Sequence, residues 1–309
     1  NAFKSLGLEP INGKFSSEFE ITTGLAPGAK CSAVFKTLVE RPGVPKEMWR
    51  AQERKWNINE DYYPMAASRK DSVTGELVFA GFGISSEEEG YDDYAGLSAE
   101  GKIAIILTET PFGKTNEEQI RCRTLGYKIG NAINHGVKGI IFVKVQGDSA
   151  NVFFPLKSEH IPHSGDIVII QANRNSIAKY FPRNISLLPL EQEIVANVKP
   201  KSFLIPNNTI TINVDIEKLR SPVSNVFALA KGTDSKLSDE YIVVGAHFDH
   251  LGWGEEGSLS NSKKPAIHYG ADDNASGVAA MIDLAEAVKK HPLRRSVLFV
   301  GFNCEEKGL

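Results

Sequence analysis

Tyr241-Ile-Val-Val-Gly-Ala246 and Ser296-Val-Leu-Phe-Val-Gly-Phe302 are short apolar runs, each bounded by polar residues. Runs of this length and composition are typical of strands that are buried on both faces of a sheet. Between them, apolar residues recur at helical spacing from Ala275 to about Lys290, and Pro292 follows as a stop. A strand, a helix and a strand in this order predict a βαβ unit with parallel strands, and therefore an α/β fold.

Polar side chains stand at the ends of these elements. His247 and Asp249 follow the first run, Asp273 precedes the helix, and Glu305 and Glu306 follow the second run. The carboxyl ends of parallel strands share one edge of a sheet, and ligands gather there. We therefore expect these five residues to converge on one site.

The residue types indicate metal chemistry. An imidazole and several carboxylates suit Zn²⁺, and also Mn²⁺ or Co²⁺. Asp249, two residues beyond His247, can accept the second ring N–H of that histidine. A bridging aspartate would hold two ions about 3.5–4 Å apart, so that both polarise one water. Adjacent glutamates on a strand point in opposite directions, but at its end one can ligate while the other takes a proton.

Three motifs carry a family resemblance: His247-x-Asp249, Gly270-Ala-Asp-Asp-Asn-Ala-Ser-Gly277 and Glu305-Glu306-x-Gly308-Leu309. In this order they resemble the di-zinc exopeptidases of the aminopeptidase Y and bacterial leucyl-aminopeptidase type. The same superfamily includes the glutamate carboxypeptidases. The resemblance implies a zinc-exopeptidase core with a mixed, largely parallel sheet and flanking helices. Cys304, before the glutamates, stands where a small residue is usual and is not expected to be a ligand.

The resemblance also implies a role for each matched position. His247 would bind one zinc ion, Asp273 would bridge both ions through a carboxylate next to a cis Asp273–Asn274 bond, and Glu306 would bind the second ion. Glu305 would be the general base. Asp249 would stay a catalytic partner of His247. The implied activity is removal of N-terminal residues from peptides, because aminopeptidase is the commonest activity in this group.

The family pattern contains a further aspartate and a further histidine, one for each zinc ion, downstream of Leu309. We therefore expect the chain to be truncated at its C-terminus, with two protein ligands per ion in place of three. Taken alone, it is expected to be inactive. The first residues contain no signal peptide, and the extracellular or periplasmic location expected here comes from the resemblance.

The sequence favours a three-part organisation. Residues 1–70 are assigned to the N-terminal part of the peptidase domain, and residues 201–309 to its catalytic core. Residues 71–200 resemble the smaller α/β protease-associated domain that is inserted in this family. The motifs that indicate it are Gly81-Phe-Gly-Ile84, Tyr91-Asp-Asp-Tyr94 and Gly101-Lys-Ile103.

The composition disfavours several classes of binding partner. The net charge of −3 and the isoelectric point near 6.2 disfavour nucleic acid or an anionic membrane as the main partner. No apolar run reaches the roughly 18–20 residues that a membrane span needs. The three cysteines are too few for a disulfide framework. A peptide substrate is thus the expected partner, and the sequence does not indicate an oligomeric state.

Three alternatives stay open. A glutamate-carboxypeptidase-like hydrolase would share the metal motifs, whereas a single-zinc glutaminyl cyclase would lack the inserted domain. A non-catalytic receptor of the transferrin-receptor type would normally have lost ligands.

Among the other histidines, His250 is assigned to a structural role or to the outer shell of the site. His268 is assigned to a loop.

Overall fold

The computed structural model describes residues 1–113, 115–147, 151–157, 161–163, 165–254, 257–260, 264 and 266–308. Leu309, which ends the third motif, lies outside the described residues. The helices are α1 (Ala2–Ser5), α2 (Glu117–Arg123), α3 (Leu125–Asn134), α4 (Arg174–Ile177), α5 (Leu187–Asn197) and α6 (Ser276–Lys290). The strands are β1 (Ser16–Pro27), β2 (Ser32–Val39), β3 (Arg50–Lys55), β4 (Tyr62–Pro64), β5 (Ser72–Phe79), β6 (Ser85–Ser86), β7 (Tyr91–Asp92), β8 (Ile103–Leu107), β9 (Gly139–Val143), β10 (Val168–Ala172), β11 (Phe203–Asn213), β12 (Ile216–Ala230), β13 (Tyr241–His247) and β14 (Ser296–Phe302).

The chain forms two compact units. The discontinuous unit consists of residues 1–22 and 220–309, and the central unit consists of residues 23–219. Within the described ranges, no helix has the length and apolar character needed to span a bilayer.

The discontinuous unit contains the predicted βαβ arrangement. Its four-stranded sheet has the order β1-β12-β14-β13, in which β13 and β14 are parallel and β12 is antiparallel to β14. Helix α6 connects the parallel strands, and its Met281 and Ala285 pack in one buried cluster with Val297 and Phe299 of β14. The predicted strands, their parallel direction and the connecting helix are confirmed. The expected burial of β13 on both faces was wrong: it is the edge strand of this sheet, and most of its residues are exposed.

The central unit contains an eight-stranded mixed sheet with the order β3-β2-β11-β5-β8-β9-β10-β4. Strands β5, β8, β9 and β10 run parallel to one another, and β8, β9 and β10 are buried at every residue. Ile103 and Ile105 pack in the cluster that contains residues of α5, whereas Ala104 and Ile106 pack in the cluster that contains residues of α3. Alternate residues of β8 thus face opposite helical layers. The chain is an α/β protein with mixed sheets, as predicted.

The boundaries of the two compact units differ from those of the three parts predicted from the sequence. Residues 23–70 and 201–219 lie in the central unit, although the sequence assigned both to the peptidase domain. The cause is strand pairing at long range, because β2 pairs with β11 and β4 pairs with β10. The assignment of residues 71–200 to a protease-associated domain stays a prediction.

A buried carboxylate anchors the turn that follows β5 in the central unit. Asp93 accepts hydrogen bonds from the N–H groups of Phe82 (2.9 Å) and Ile84 (3.1 Å) and from the hydroxyl of Tyr91 (3.0 Å). Gly81 has a φ of +51°, and a Cβ atom at this position would overlap the carboxylate of Asp93. Two of the sequence motifs, at residues 81–84 and 91–94, are therefore joined through one side chain.

We expect Gly81→Ala to lower the free energy of unfolding of the central unit by about 2–4 kcal/mol, because it adds a clash with Asp93 to an unfavourable φ. Gly96→Ala is the matched control: its φ is +72°, but the space around it is open. It should cost only about 1–2 kcal/mol. Urea denaturation followed by circular dichroism measures both, and equal losses would contradict the role of the Asp93 anchor.

Candidate metal centre

The five predicted site residues come together at one edge of the sheet of the discontinuous unit. His247 is the last residue of β13, and the pairing of His247 with Phe302 places the ends of β13 and β14 level. Asp273 lies in an irregular turn, Ala271–Ala275, immediately before α6. Glu305 and Glu306 lie in a 3₁₀ turn just beyond β14. The predicted convergence is therefore present in the structure.

The donor atoms are spaced as metal ligands are. The Nε2 atom of His247 lies 3.0 Å from Oδ1 of Asp273 and 3.9 Å from Oε2 of Glu305. Two sets of three side chains have ligand atoms within 4.8 Å of one another: His247, Glu305 and Glu306, and His250, Asp273 and Glu306. Ligands bound at about 2.0–2.2 Å in a tetrahedron lie about 3.3–3.6 Å apart, and the two distances from Nε2 lie on either side of this range.

The turn after β14 brings both glutamates to this edge. Cys304 adopts a left-handed backbone with a φ of 67°, and the 3₁₀ turn Glu305–Lys307 follows. Strand alternation does not govern the two carboxylates, because β14 ends at Phe302 and both glutamates follow in the 3₁₀ turn. Burial raises the pKa of the Cys304 thiol, which disfavours the thiolate that binds metal ions.

Asp249 has a different contact from the expected one. Its backbone carbonyl oxygen lies 3.1 Å from Nδ1 of His247, whereas its carboxylate oxygen lies 3.6 Å away, beyond hydrogen-bond distance. The carboxylate instead accepts the backbone N–H groups of Glu305 (3.2 Å) and Glu306 (3.3 Å). Asp249 therefore orients the histidine through its main chain and the glutamate turn through its side chain.

The contacts of His247 bring a ring nitrogen and a carboxylate close enough together to bind one cation. If Nδ1 of His247 donates to the carbonyl of Asp249, the lone pair of Nε2 faces the carboxylate of Asp273. Such a pair needs a proton or a metal ion between its atoms. Partial burial of the ring favours its neutral form, yet the carbonyl of Asp249 and the carboxylates of Glu305 and Asp273 together raise the pKa of His247. A metal ion must therefore displace a proton that is held more firmly than usual.

The residues before α6 also stabilise the start of that helix. The side-chain oxygen of Asn274 accepts the N–H of Gly277 at 3.0 Å and so caps the first turn of the helix. A Cβ atom at Gly277 would overlap this side chain, which explains the glycine. The Asp273–Asn274 peptide bond is cis, as the resemblance implied.

A pocket of about 160 Å³ lies beside the donor atoms. It is lined by Phe248, Asp249, His250, Tyr269, Gly270, Asn274, Ala275 and Val278. A second cavity, of about 190 Å³, is lined by apolar residues and by Asn1 and Lys4, and contains none of the five predicted site residues. The first pocket is therefore the one that fits a ligand at the metal centre.

His250 is a site residue whose contact the sequence did not specify. Its Nδ1 atom lies 2.6 Å from Oε1 of Glu306. Strand alternation would place it on the side opposite to His247 and Asp249. However, β13 ends at His247, so alternation no longer applies three residues later. Its position directly after the His-x-Asp motif was the available signal.

Part of the chain is similar to a known peptidase family. Residues 225–309 match peptidase family M28. The uncharacterized protein YfbL of Escherichia coli (strain K12) is 29% identical over 108 residues, which are 34% of this chain and 30% of that protein. All five predicted site residues lie within the segment that matches the family.

Two solved aminopeptidases also resemble the chain. An aminopeptidase from Aneurinibacillus sp. strain AM-1 is 20% identical with a TM-score of 0.33, and the match covers 99% of this chain and 56% of that one. A zinc aminopeptidase from Bacillus subtilis is 17% identical with a TM-score of 0.34, over 99% and 53% of the two chains. The chain thus spans about half the length of these proteins. Residues 225–309, which contain the site, are therefore similar to peptidase family M28.

Proposed function

We propose that this protein is a zinc-dependent exopeptidase and that it removes N-terminal residues from peptides. The observation that carries the proposal is the convergence of His247, Asp273, Glu305 and Glu306 within a segment of a peptidase family. One imidazole and three carboxylates form a donor set that suits zinc.

The roles follow from the contacts. His247 would hold one ion through Nε2, Asp273 would bridge two ions because it lies 3.0 Å from Nε2 of His247 and also within reach of Glu306, and Glu306 would hold the second. Bound zinc would polarise the scissile carbonyl and lower the pKa of water. Glu305 would take a proton from the attacking water and return it to the leaving amine.

Glu305 suits the base role through its accessibility. Its side chain is 57% exposed and lies 3.9 Å from Nε2 of His247, so water can reach it beside the ions. The adjacent pocket, with Phe248 and Tyr269 in its lining, would accept an apolar part of the substrate.

The remaining parts of the proposal concern the whole protein. Each ion would have two protein ligands from this chain, so residues 1–309 alone should not hydrolyse peptides. We further propose that residues 71–200 form a protease-associated domain and that the enzyme acts outside the cytoplasm.

Glu305→Gln should lower kcat/KM of the full-length protein by about 10²–10⁴-fold while zinc binding stays intact, because a base is lost and no ligand is removed. Hydrolysis of a short peptide with a free N-terminus, followed by mass spectrometry, measures the rate. The same peptide with an acetylated N-terminus should not be cleaved, and a chelator should abolish activity that added zinc restores.

The control for this variant is Glu286→Gln, on α6, where the carboxylate pairs with Lys290 away from the site. It should retain the wild-type rate. A Glu305→Gln protein that binds zinc and keeps the wild-type rate would show that Glu305 is not the base. Cleavage of the acetylated peptide from its C-terminus would instead favour a carboxypeptidase.

Asp249→Asn should speed hydrogen exchange at the backbone N–H groups of Glu305 and Glu306. An amide side chain offers one oxygen where the carboxylate offers two, so one N–H loses its acceptor. A loss of about 1–1.5 kcal/mol corresponds to roughly tenfold faster exchange. Exchange measured by NMR on the metal-free chain is independent of catalysis.

The control for Asp249→Asn is Asp239→Asn, whose carboxylate pairs with Lys231 at the surface. Exchange at residues 305 and 306 should be unaltered by this variant. Equal exchange rates in wild type and Asp249→Asn would mean that the Asp249 carboxylate does not hold the glutamate turn.

A further inference from the structure

Glu305 and Glu306 are neighbours of identical chemistry, yet the proposed function gives them different tasks. Their surroundings in the structure differ. The side chain of Glu306 is 20% exposed and contacts His250, whereas that of Glu305 is 57% exposed. Because Asp249 binds the backbone N–H of both residues alike, it cannot decide which carboxylate becomes the ligand. The difference must come from contacts of the carboxylates themselves.

The contact between His250 and Glu306 is a short hydrogen bond. Nδ1 of His250 lies 2.6 Å from Oε1 of Glu306. An ionised carboxylate can only accept, so the ring donates an N–H from Nδ1. The ring itself is held in place, because it packs against Gly270 so closely that a Cβ atom there would overlap it.

We propose that His250 is a positioning residue that holds Glu306 as the metal ligand, an inference that rests on the zinc-peptidase function proposed above. A ring N–H on Oε1 fixes the carboxylate in one orientation and directs Oε2 to the ion. Carboxylate ligands in metal sites are commonly oriented by such a hydrogen bond. Glu305, without this partner on its carboxylate among the contacts described, keeps the accessibility that a proton carrier needs.

The same ring could in principle bind a metal ion itself, since His250, Asp273 and Glu306 form one of the two possible ligand sets. Metal binding and the positioning of Glu306 require different chemical groups at residue 250. A ligand must offer a ring nitrogen with a lone pair, whereas a positioning residue must offer an N–H where Nδ1 lies. An asparagine side chain places its NH₂ group close to the position of Nδ1 and is a poor zinc ligand.

The test compares zinc affinity in the full-length protein and its His250→Asn and His250→Phe variants. Zinc dissociation constants are measured for both ions by competition with a chelator of known affinity. His250→Phe removes the donor and should weaken one of the two ions by about 10–100-fold. His250→Asn keeps the donor and should stay within about threefold of wild type. His268→Phe is the control, because that ring is nearby but bonds Ser258, and affinity should not change.

Two results would overturn the inference. Wild-type affinity in His250→Phe would show that the ring is not needed, and equal weakening in a folded His250→Asn would show that the ring is a ligand. If the phenylalanine variant does not fold, His250→Ala replaces it with the same expected weakening. A different result would contradict the proposed function: a wild-type protein that neither binds zinc nor cleaves a peptide with a free N-terminus.

Discussion

The parallel pairing of β13 with β14 is the constraint on which the site depends. Its register sets His247 opposite Phe302, so that two segments far apart in sequence end at the same level. Helix α6 fixes this register from the buried side through Met281 and Ala285. A shift of the register by one residue would send the side chains of one strand to the other face and separate the donor atoms.

Neighbouring segments at this edge of the sheet are held together by hydrogen bonds. The carbonyl of Asp249 orients the ring of His247, and its carboxylate holds the backbone of the glutamate turn. Asn274 caps α6 and so fixes the turn that carries Asp273. A cluster of acidic groups is costly unless cations or hydrogen bonds compensate it. These donors supply part of that compensation, and bound metal ions would supply the rest.

The sequence predicted the βαβ unit and the convergence of five polar side chains at its edge, because apolar periodicity and strand-end position are local properties. It failed where long-range pairing or a local turn decides. Residues 23–70 joined the central unit because β2 and β4 pair with distant strands. The turn that carries Glu305 and Glu306 was not specified by strand alternation, because β14 ends at Phe302 and a left-handed Cys304 follows. Likewise, the contact of His250 with Glu306 depends on tertiary structure that no spacing rule encodes.

We propose that His247, Asp273 and Glu306 bind a pair of zinc ions. Anomalous diffraction at the zinc edge, from crystals of the full-length protein grown with zinc, would locate these ions. We expect two peaks about 3.5–4 Å apart on either side of the Asp273 carboxylate. One should lie about 2.0–2.2 Å from Nε2 of His247 and the other at a similar distance from a carboxylate oxygen of Glu306. Peaks that lie elsewhere, with neither His247 nor Glu306 in contact with zinc, would contradict it.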